Sequence, residues 1–394
     1  MKPRRLYMDN AATSFPKPRG VMDAMSRYAS DLGASAGRGG YEEAVQTAGA
    51  IAECRSRLAK LFNGELPEHF VFTLNCTDAL NLAIKGLIDP AKKSHVICTH
   101  IDHNSILRPI GAMERRGWVE VTRVPVDGRT GLVDPEEIRR AVRSDTKLIA
   151  VTHVSNVTGT VQPIRQIGQI AREMAVPLVV DAAQSVGHVP IDVQADCIDL
   201  LAAPGHKGLL GPLGTGFLYV RPGIEKILSP LREGGTGTIS ELDVQPDFMP
   251  DKFESGSHNA IGLIGLAEGV RYVLEQTVEQ LHAAEMDLVR TFIDGVGQID
   301  GLSYFGPQGV KNRIGVFSVR VEGHEPHELS AILESNFGIL TRSGIHCAPL
   351  AHQAIGTADR GGTTRLSFGA FLSKQDVKYA TDALAEIATS RVIV

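Results

Sequence analysis

Short apolar runs bounded by glycine, proline or polar residues recur through the first half of the chain. Such runs are typical of buried strands, which we predict at 70–74, 96–99, 119–126, 148–154, 178–180 and 198–203. Segments with a helical spacing of apolar residues separate many of them, at 77–87, 105–116, 134–143 and 164–174. Alternation of strands with helices predicts an α/β fold, with a large, mostly parallel sheet covered on both faces.

The pattern changes after about residue 260, where a long helical stretch is predicted over 260–296. A compact α+β unit follows, with strands near 314–320, 338–341 and 364–368 and helices near 327–335 and 374–389. Before the first strand, 16–62 is predicted to be helical, with a break in the glycine-rich stretch 33–40. A chain of 394 residues is long enough for two domains. We therefore expect a large domain over 16–260 and a smaller C-terminal domain over 261–394.

Composition adds limits on location and partners. Hydrophobic residues make up 43% and charged residues 22%, and the net charge is -5, so nothing indicates a nucleic-acid or anionic-membrane partner. No apolar run approaches the roughly 18 residues of a membrane span. The basic start is followed by polar residues instead of the apolar core of a signal peptide, so we expect a cytoplasmic protein.

The five cysteines are scattered, odd in number and without a C-x-x-C pair. This spacing argues against a disulfide framework and against a structural zinc site. Most of them are expected to be small core residues. They are Cys54, Cys76, Cys98, Cys197 and Cys347.

Two predicted strands end next to a carboxylate and an amine. The run 178–180 ends on Asp181, and the run 198–203 is followed by Pro204-Gly205-His206-Lys207. Ligands of parallel α/β sheets bind beyond the carboxyl ends of the strands. An amine and a carboxylate placed there suit pyridoxal phosphate (PLP), because the amine can bond to its aldehyde and the carboxylate can keep its pyridine nitrogen protonated. Taken alone, a solvated lysine and a capping aspartate remain the alternative.

The wider motifs carry a resemblance to a known family. Asp181-Ala-Ala-Gln184, the turn Pro-Gly-His-Lys-Gly and the Gly-Pro-Leu-Gly-Thr-Gly run after it resemble class V aminotransferases and cysteine desulfurases, which are PLP enzymes of fold type I. The resemblance covers nearly the whole chain and implies the PLP-dependent transferase fold. It implies that Lys207 holds the cofactor, Asp181 its ring nitrogen and Gln184 its phenolic oxygen, with His103 over the ring. It also implies that 1–15 packs with the small domain.

The same resemblance implies a phosphate site. Asn75-Cys76-Thr77-Asp78 lies between a strand and a helix, where backbone N–H groups favour a phosphate, although a plain helix cap by Thr77 is the alternative. His206 is implied as a further ligand. Cys76 and Pro204 stand where the family has hydroxyl residues, so both are departures. Ser257, in 253–259, resembles a residue that reaches the neighbouring subunit's phosphate, which implies a homodimer.

The loop Arg342-Ser-Gly-Ile-His346-Cys347 resembles the Arg-x-Gly-x-His-Cys loop of group II cysteine desulfurases. It implies that Cys347 is a catalytic thiolate. Positive neighbours lower the pKa of a thiol, and Arg342 and His346 are expected to supply that charge. A buried structural cysteine is one alternative, and a metal site of His346, Cys347 and His352 is another, although the sequence offers no second ligand cluster and we predict no metal.

Three residues are implied to bind the substrate, namely Arg342 of this loop, Asn156 and Arg365. Asn156, in the motif 153–160, is implied to contact the ring or the substrate. Arg365 suits the amino-acid carboxylate because a guanidinium binds carboxylates through two hydrogen bonds. A third departure is Tyr41 in Arg38-Gly-Gly-Tyr41, where the family often has histidine.

The resemblance thus implies a PLP-dependent cysteine desulfurase. Lys207 would remove the α-proton of L-cysteine, with His103 as a candidate proton shuttle. Cys347 would take the sulfur as a persulfide, release alanine and pass the sulfur to an acceptor protein, for iron–sulfur cluster assembly or another pathway. A selenocysteine lyase and another class V aminotransferase or epimerase are alternatives. A non-catalytic platform of this fold is a third, against which the intact Lys207, Asp181 and His206 argue.

Overall fold

The computed structural model describes residues 5–36 and 39–390. Its strands are β1 (Leu6–Tyr7), β2 (Phe70–Thr73), β3 (Ser94–Thr99), β4 (Val119–Val124), β5 (Thr146–Thr152), β6 (Leu178–Asp181), β7 (Leu200–Pro204), β8 (Gly216–Val220), β9 (Leu302–Phe305), β10 (Val316–Val321), β11 (Ile339–Leu340), β12 (Arg342–Gly344) and β13 (Thr363–Ser367). Its α-helices are α1 (Arg19–Arg27), α2 (Glu42–Phe62), α3 (Cys76–Gly86), α4 (Asn104–Arg115), α5 (Pro135–Ala141), α6 (Ile164–Glu173), α7 (Ala260–Gln276), α8 (Val278–Val296), α9 (Pro326–Phe337), α10 (Pro349–Ala354) and α11 (Lys374–Thr389).

The large sheet has seven strands in the order β2-β8-β7-β6-β5-β3-β4. β8 runs antiparallel to both of its neighbours, and the other adjacent strands are parallel. Asp181 at the end of β6 pairs with Ala202 of β7. This register brings Asp181 and the turn after Pro204 to the same edge of the sheet, as the sequence predicted. The predicted α/β fold class is confirmed.

Helices cover both faces of this sheet because successive strand residues point to opposite sides. Leu178 and Val180 belong to the apolar cluster formed with α2, α6 and α7. Val179 belongs to the cluster formed with α3 and α4 on the other face. Both faces are therefore buried, which explains why the strands are continuous apolar runs instead of alternating ones.

The C-terminal part forms a four-stranded antiparallel sheet in the order β12-β13-β10-β9. Its core contains residues of α8, α9 and α11. β1 pairs in parallel with β11, and Asp9 forms a bridge to Ser367. The first described residues thus lie against this small unit.

The helical stretch predicted over 260–296 is two helices, so that prediction was wrong in one detail. Thr277 has φ 59 and separates α7 from α8. A β-branched residue with this backbone cannot continue a right-handed helix. α7 packs on α1 and α2, whereas α8 packs on α11. The domain limits 16–260 and 261–394 stay a prediction, and we propose that the division lies at Thr277.

None of the helices within the described ranges combines the length and the apolar composition needed to cross a bilayer.

Candidate active site

A pocket lies at the carboxyl edge of the large sheet, where ligands of parallel α/β sheets bind. Strand ends β5, β6 and β7 and the starts of α3 and α4 form its walls. The pocket brings together most of the residues predicted for the cofactor. Its lining is Asn75, Cys76, Thr77, His103, Ser105, Thr152, Val154, Asn156, Asp181, Ala183, Gln184, Pro204, His206 and Lys207.

Lys207 lies in the tight turn after β7, where the Leu210 N–H donates to the Lys207 carbonyl. Burial lowers the pKa of the Lys207 amine to about 8, and the nearby Asp181 carboxylate partly opposes this shift. The cations Arg365 and Arg342 lower this pKa further. At neutral pH, Lys207 therefore has a larger neutral fraction than an ordinary lysine, which favours its reaction with an aldehyde.

Asp181 is 2% exposed, and burial raises the pKa of its carboxyl group. The Ala183 N–H donates to Oδ1 at 2.9 Å, and the Cys76 thiol contacts the same oxygen at 3.4 Å. In the described part of the chain no donor reaches Oδ2. A protonated ring nitrogen would supply both a hydrogen bond and the opposite charge.

His103 caps the start of α4 with its ring. Its Nδ1 accepts the Ser105 N–H at 3.0 Å and lies 2.9 Å from the Ser105 hydroxyl. Burial lowers the pKa of His103 to about 4, and Lys207 and three arginines contribute to this shift. His103 is therefore neutral at physiological pH. Because Nδ1 is occupied by a donor, the ring carries its proton on Nε2.

The predicted phosphate end is built from the start of α3. Asn75 caps this helix by accepting the Asp78 N–H at 3.0 Å, so the alternative of a cap by Thr77 was wrong. The Thr77 hydroxyl instead lies 2.8 Å from Ser105 Oγ. The Cys76 thiol points to Asp181, which leaves only the backbone of Cys76 for a phosphate.

His206 lines the pocket as well. Its Nδ1 is buried and has no hydrogen-bond partner among the described residues. Burial lowers the pKa of His206 to about 4. A neutral ring with an unpaired polar atom fits a ligand that brings its own hydrogen-bonding group.

The N-terminal arm holds the backbone next to Lys207, which the sequence did not indicate. The His206 carbonyl accepts hydrogen bonds from the Ser14 N–H at 3.0 Å and from Lys17 Nζ at 2.7 Å. The Thr13 hydroxyl donates to it as well, at 3.1 Å. These hydrogen bonds fix the position of the turn that carries Lys207.

Cys347 lies on a loop that is tied to the pocket. Its carbonyl accepts the Asn104 N–H at 2.8 Å, directly beside His103. Asn156 Nδ2 donates to the His346 carbonyl at 2.7 Å. His346 and Cys347 have φ 50 and 58, a left-handed conformation that non-glycine residues rarely adopt twice in succession.

The charge next to the Cys347 sulfur comes from one of the two predicted residues. Arg342 Nη2 lies 3.8 Å from Cys347 Sγ. The His346 ring instead hydrogen-bonds with Thr363, and burial lowers its pKa to about 2. The expectation that His346 supplies positive charge was therefore wrong, because a buried imidazole stays neutral.

Arg365 is almost fully buried, at 1% exposure. Its Nη2 donates to Asp9 Oδ1 at 2.6 Å and its Nη1 to the Asn156 carbonyl at 3.1 Å. Its Nε has no partner among the described residues. The sequence missed Asp9, which is 356 positions away. A carboxylate bound by Arg365 would share the guanidinium with Asp9.

Two predicted cofactor residues have different positions. Gln184 lines the pocket, and its Nε2 also donates to the Ala11 carbonyl at 2.9 Å. Ser257 is exposed and lies outside this pocket, in a separate groove with Arg232 and His258. Its role at a neighbouring subunit stays a prediction.

Tyr41, the third departure from the family pattern, immediately precedes α2 and is exposed. Arg38, in the same motif, lies outside the described residues.

The alternative of a metal site at His346, Cys347 and His352 has no support in the geometry. Across residues 5–36 and 39–390, no three side chains of suitable type are grouped as metal ligands. His352 Nδ1 is engaged by the Thr357 hydroxyl at 2.7 Å.

Known proteins with similar sequences and structures support the desulfurase branch. A relative from Methanothermobacter thermautotrophicus named "Probable cysteine desulfurase" is 37% identical over 389 residues, 97% of this chain and 94% of the relative. One with the same name from Pyrococcus abyssi is 32% identical, covering 98% and 94%. The solved apo structure of a cysteine desulfurase from Thermococcus onnurineus NA1 superimposes with a TM-score of 0.90 at 31% identity, covering 98% of this chain and 94% of that one.

The family model of class-V aminotransferases, described as "Aminotransferase class-V", matches residues 6–380. This match takes in the pocket, the loop of Cys347 and both sheets. The chain therefore belongs to the class-V aminotransferase family, whose members depend on PLP, and the predicted family membership is confirmed.

Proposed function

We propose that this protein is a PLP-dependent cysteine desulfurase that converts L-cysteine to L-alanine and keeps the sulfur on Cys347. The observation that carries the proposal is the hydrogen bond between the Asn104 N–H and the Cys347 carbonyl, which joins the cysteine loop to the pocket of Lys207. A class V enzyme whose reaction uses only the residues of the pocket would need no thiol at this position.

The pocket residues fit PLP. Lys207 would hold the aldehyde end, and Asp181, through Oδ2, the ring nitrogen. His103 would lie against the ring, and Gln184 next to the phenolic oxygen. Backbone N–H groups of Cys76 and Thr77 at the start of α3, together with His206, would bind the phosphate. When bound, PLP supplies an electron sink for the carbon atoms of the amino acid.

The remaining steps belong to the protein's own side chains. Arg365, beside Asn156, would bind the carboxylate of L-cysteine through its unpartnered Nε. Lys207 is the base for the α-proton, and His103 donates only from Nε2 because Nδ1 is engaged.

The sulfur transfer itself is assigned to Cys347, with the Arg342 guanidinium next to its sulfur. The Cys347 sulfur bonds to the substrate sulfur while the substrate's carbon–sulfur bond breaks and leaves its electron pair on carbon. One proton is then delivered to that carbon and Lys207 returns one to the α-carbon, which completes L-alanine and leaves Cys347 with a persulfide.

The persulfide needs an acceptor protein, which would feed iron–sulfur cluster assembly or another sulfur-transfer pathway. The exposed position of Ser257 suits contact with a second subunit, in a homodimer that shares its two sites. A cytoplasmic location fits five cysteines that are all unpaired in the structure, because thiols stay reduced there.

The test is a Cys347→Ser variant incubated with L-cysteine and a reductant, with alanine and sulfide measured. We expect alanine production to fall to background, because a hydroxyl is too weak an acid to replace a thiolate at neutral pH. Alkylation and peptide mass analysis of the parent should show one added sulfur on the peptide of residue 347.

Cys197→Ser is the matched control, because Cys197 is also partly exposed and also has positive φ, at 55. It should retain full activity. Desulfuration of L-cysteine by Cys347→Ser at the parent's rate would contradict the proposal and indicate another class V reaction. Activity of the parent protein with selenocysteine but not with L-cysteine would indicate a selenocysteine lyase.

A further inference from the structure

Ser105, the second residue of α4, occupies a central place in the pocket although no role was assigned to it. It lines the pocket and is 9% exposed. Its hydroxyl lies 2.8 Å from Thr77 Oγ1 and 2.9 Å from His103 Nδ1. Ser105 therefore links the residue over the predicted ring position with the turn predicted to bind the phosphate.

Two residues of this pocket supply no hydroxyl group to the predicted phosphate end. Pro204 lines the pocket and has neither a hydroxyl nor an N–H. The Cys76 thiol is turned to Asp181, and burial raises its pKa well above the ordinary value, so it stays an uncharged, weak donor. Among the described lining residues, the hydroxyl groups belong to Thr77, Ser105 and Thr152, and the first two lie at the starts of α3 and α4.

Other polar groups show that the pocket is built for a polar ligand. Thr152 is 4% exposed, and its buried hydroxyl has no hydrogen-bond partner among the described residues. Asn156 Oδ1 is also buried and also has no partner among them. The N–H groups of Cys76 and Thr77 have no acceptor there either, as expected for the first turn of a helix. An anion bound at this turn would accept hydrogen bonds from these N–H groups.

We propose that Ser105 is a positioning residue of the cofactor's phosphate site. Its hydroxyl holds the exposed Thr77 hydroxyl towards the phosphate, and this pair compensates for the groups missing at Cys76 and Pro204. The assignment rests on the proposed PLP cofactor but not on the desulfurase reaction, so the two can fail separately.

The test compares PLP with pyridoxal, which lacks the phosphate. The full-length protein freed of cofactor is titrated with each compound, and the dissociation constants are read from the visible absorbance of the bound form. We expect Ser105→Ala to weaken PLP binding about tenfold, the effect of one hydrogen bond to a charged group, and to change pyridoxal binding less than about twofold.

Thr77→Val is the second variant, because Thr77 is exposed and its replacement spares the core. It should show the same preference for weakening PLP. The double variant should bind PLP no more weakly than the weaker single variant, since the two hydroxyls act as one pair. Ser373→Ala, which removes the hydroxyl cap of α11 in the small unit, should leave both dissociation constants unchanged.

Equal losses for PLP and pyridoxal in Ser105→Ala would overturn the proposal, because they would place Ser105 at the ring instead of the phosphate. An unchanged PLP dissociation constant, or fully additive losses in the double variant, would overturn it as well. A parent that binds PLP but releases no alanine from L-cysteine would refute the desulfurase reaction and leave the role of Ser105 intact.

Discussion

At the scale of single residues, burial decides which groups are charged at neutral pH. His103 and His206 have pKa values lowered to about 4, so both rings are neutral and serve as hydrogen-bonding groups. Burial also lowers the pKa of Lys207, to about 8, and Asp181 partly opposes this shift because it stabilises the charged form. The pocket thus combines one titratable amine with rings that do not change charge near neutrality.

The pKa of Lys207 leads to a prediction about pH. The neutral amine reacts with an aldehyde, so the rate at which the cofactor-free protein takes up PLP should rise with pH up to about 8 and then level off. An ordinary lysine would give a rate that keeps rising towards about pH 10.4. Stopped-flow absorbance from pH 6.5 to 10 measures this profile.

Lys207→Ala corrects for reaction at surface lysines and should show no saturable uptake. A rate that climbs without a plateau between pH 8.5 and 10 would show that the Lys207 amine is not shifted.

At the scale of elements, the site depends on contacts between segments that are distant in the sequence. The N-terminal arm contacts the turn after β7, and the loop after β12 contacts the start of α4. Ser14 is buried, accepts a hydrogen bond from Lys17 Nζ at 2.6 Å and donates to the Lys207 carbonyl at 2.9 Å. The arm therefore holds in place the backbone that carries Lys207.

Ser14→Ala tests whether the hydrogen bonds of Ser14 stabilise the protein. The substitution leaves Lys17 with one fewer acceptor and the Lys207 carbonyl with one fewer donor, so the free energy of unfolding should fall by about 1.5 kcal/mol. Urea unfolding of the cofactor-free protein measures the change. Ser30→Ala, which removes an exposed hydroxyl bonded only to its own helical turn, should stay within about 0.5 kcal/mol of the parent. Equal stability of the two variants would mean that the hydrogen bonds of Ser14 do not stabilise the protein.

At the scale of the whole molecule, a partly buried ion pair joins the segment after β6 to α8. His188 Nδ1 lies 3.0 Å from Glu285 Oε2 on α8, and Glu285 Oε1 accepts the Gly315 N–H at 2.9 Å. Burial by itself lowers the pKa of His188, but the Glu285 carboxylate outweighs it and the pKa is raised overall. The contact is therefore strongest when His188 is protonated.

A raised pKa in the folded state fixes the sign of the pH dependence. The contribution of His188 to stability is fully present below its unfolded pKa of about 6.5 and is lost as pH rises through the higher folded value. Glu285→Gln should reduce the unfolding free energy by about 2 kcal/mol at pH 6 and by less at pH 9. Urea titrations of parent and variant at both pH values check this, and a loss that grows with pH would contradict the assigned charge state.

Much of the site was predictable from local sequence. Apolar runs ending on Asp181 and before Lys207 determine two neighbouring parallel strands, because strands of this kind must be buried on both faces. Their carboxyl ends then lie at one edge, and both side chains line the same pocket. The start of α3 at Cys76 was likewise indicated, to within one residue, by the change of periodicity from strand to helix.

The remaining contacts depend on which segments pack together, and periodicity carries no information about that. Asp9 meets Arg365 only because β1 pairs with β11, and Ser105 meets Thr77 only because two helix starts converge on one pocket. The neutrality of His346 follows from burial against β13, which a loop sequence does not reveal. The sequence by itself determined the strands and the chemistry at their ends, whereas tertiary packing decided charge states and partners, since desolvation and nearby charges act through space and not along the chain.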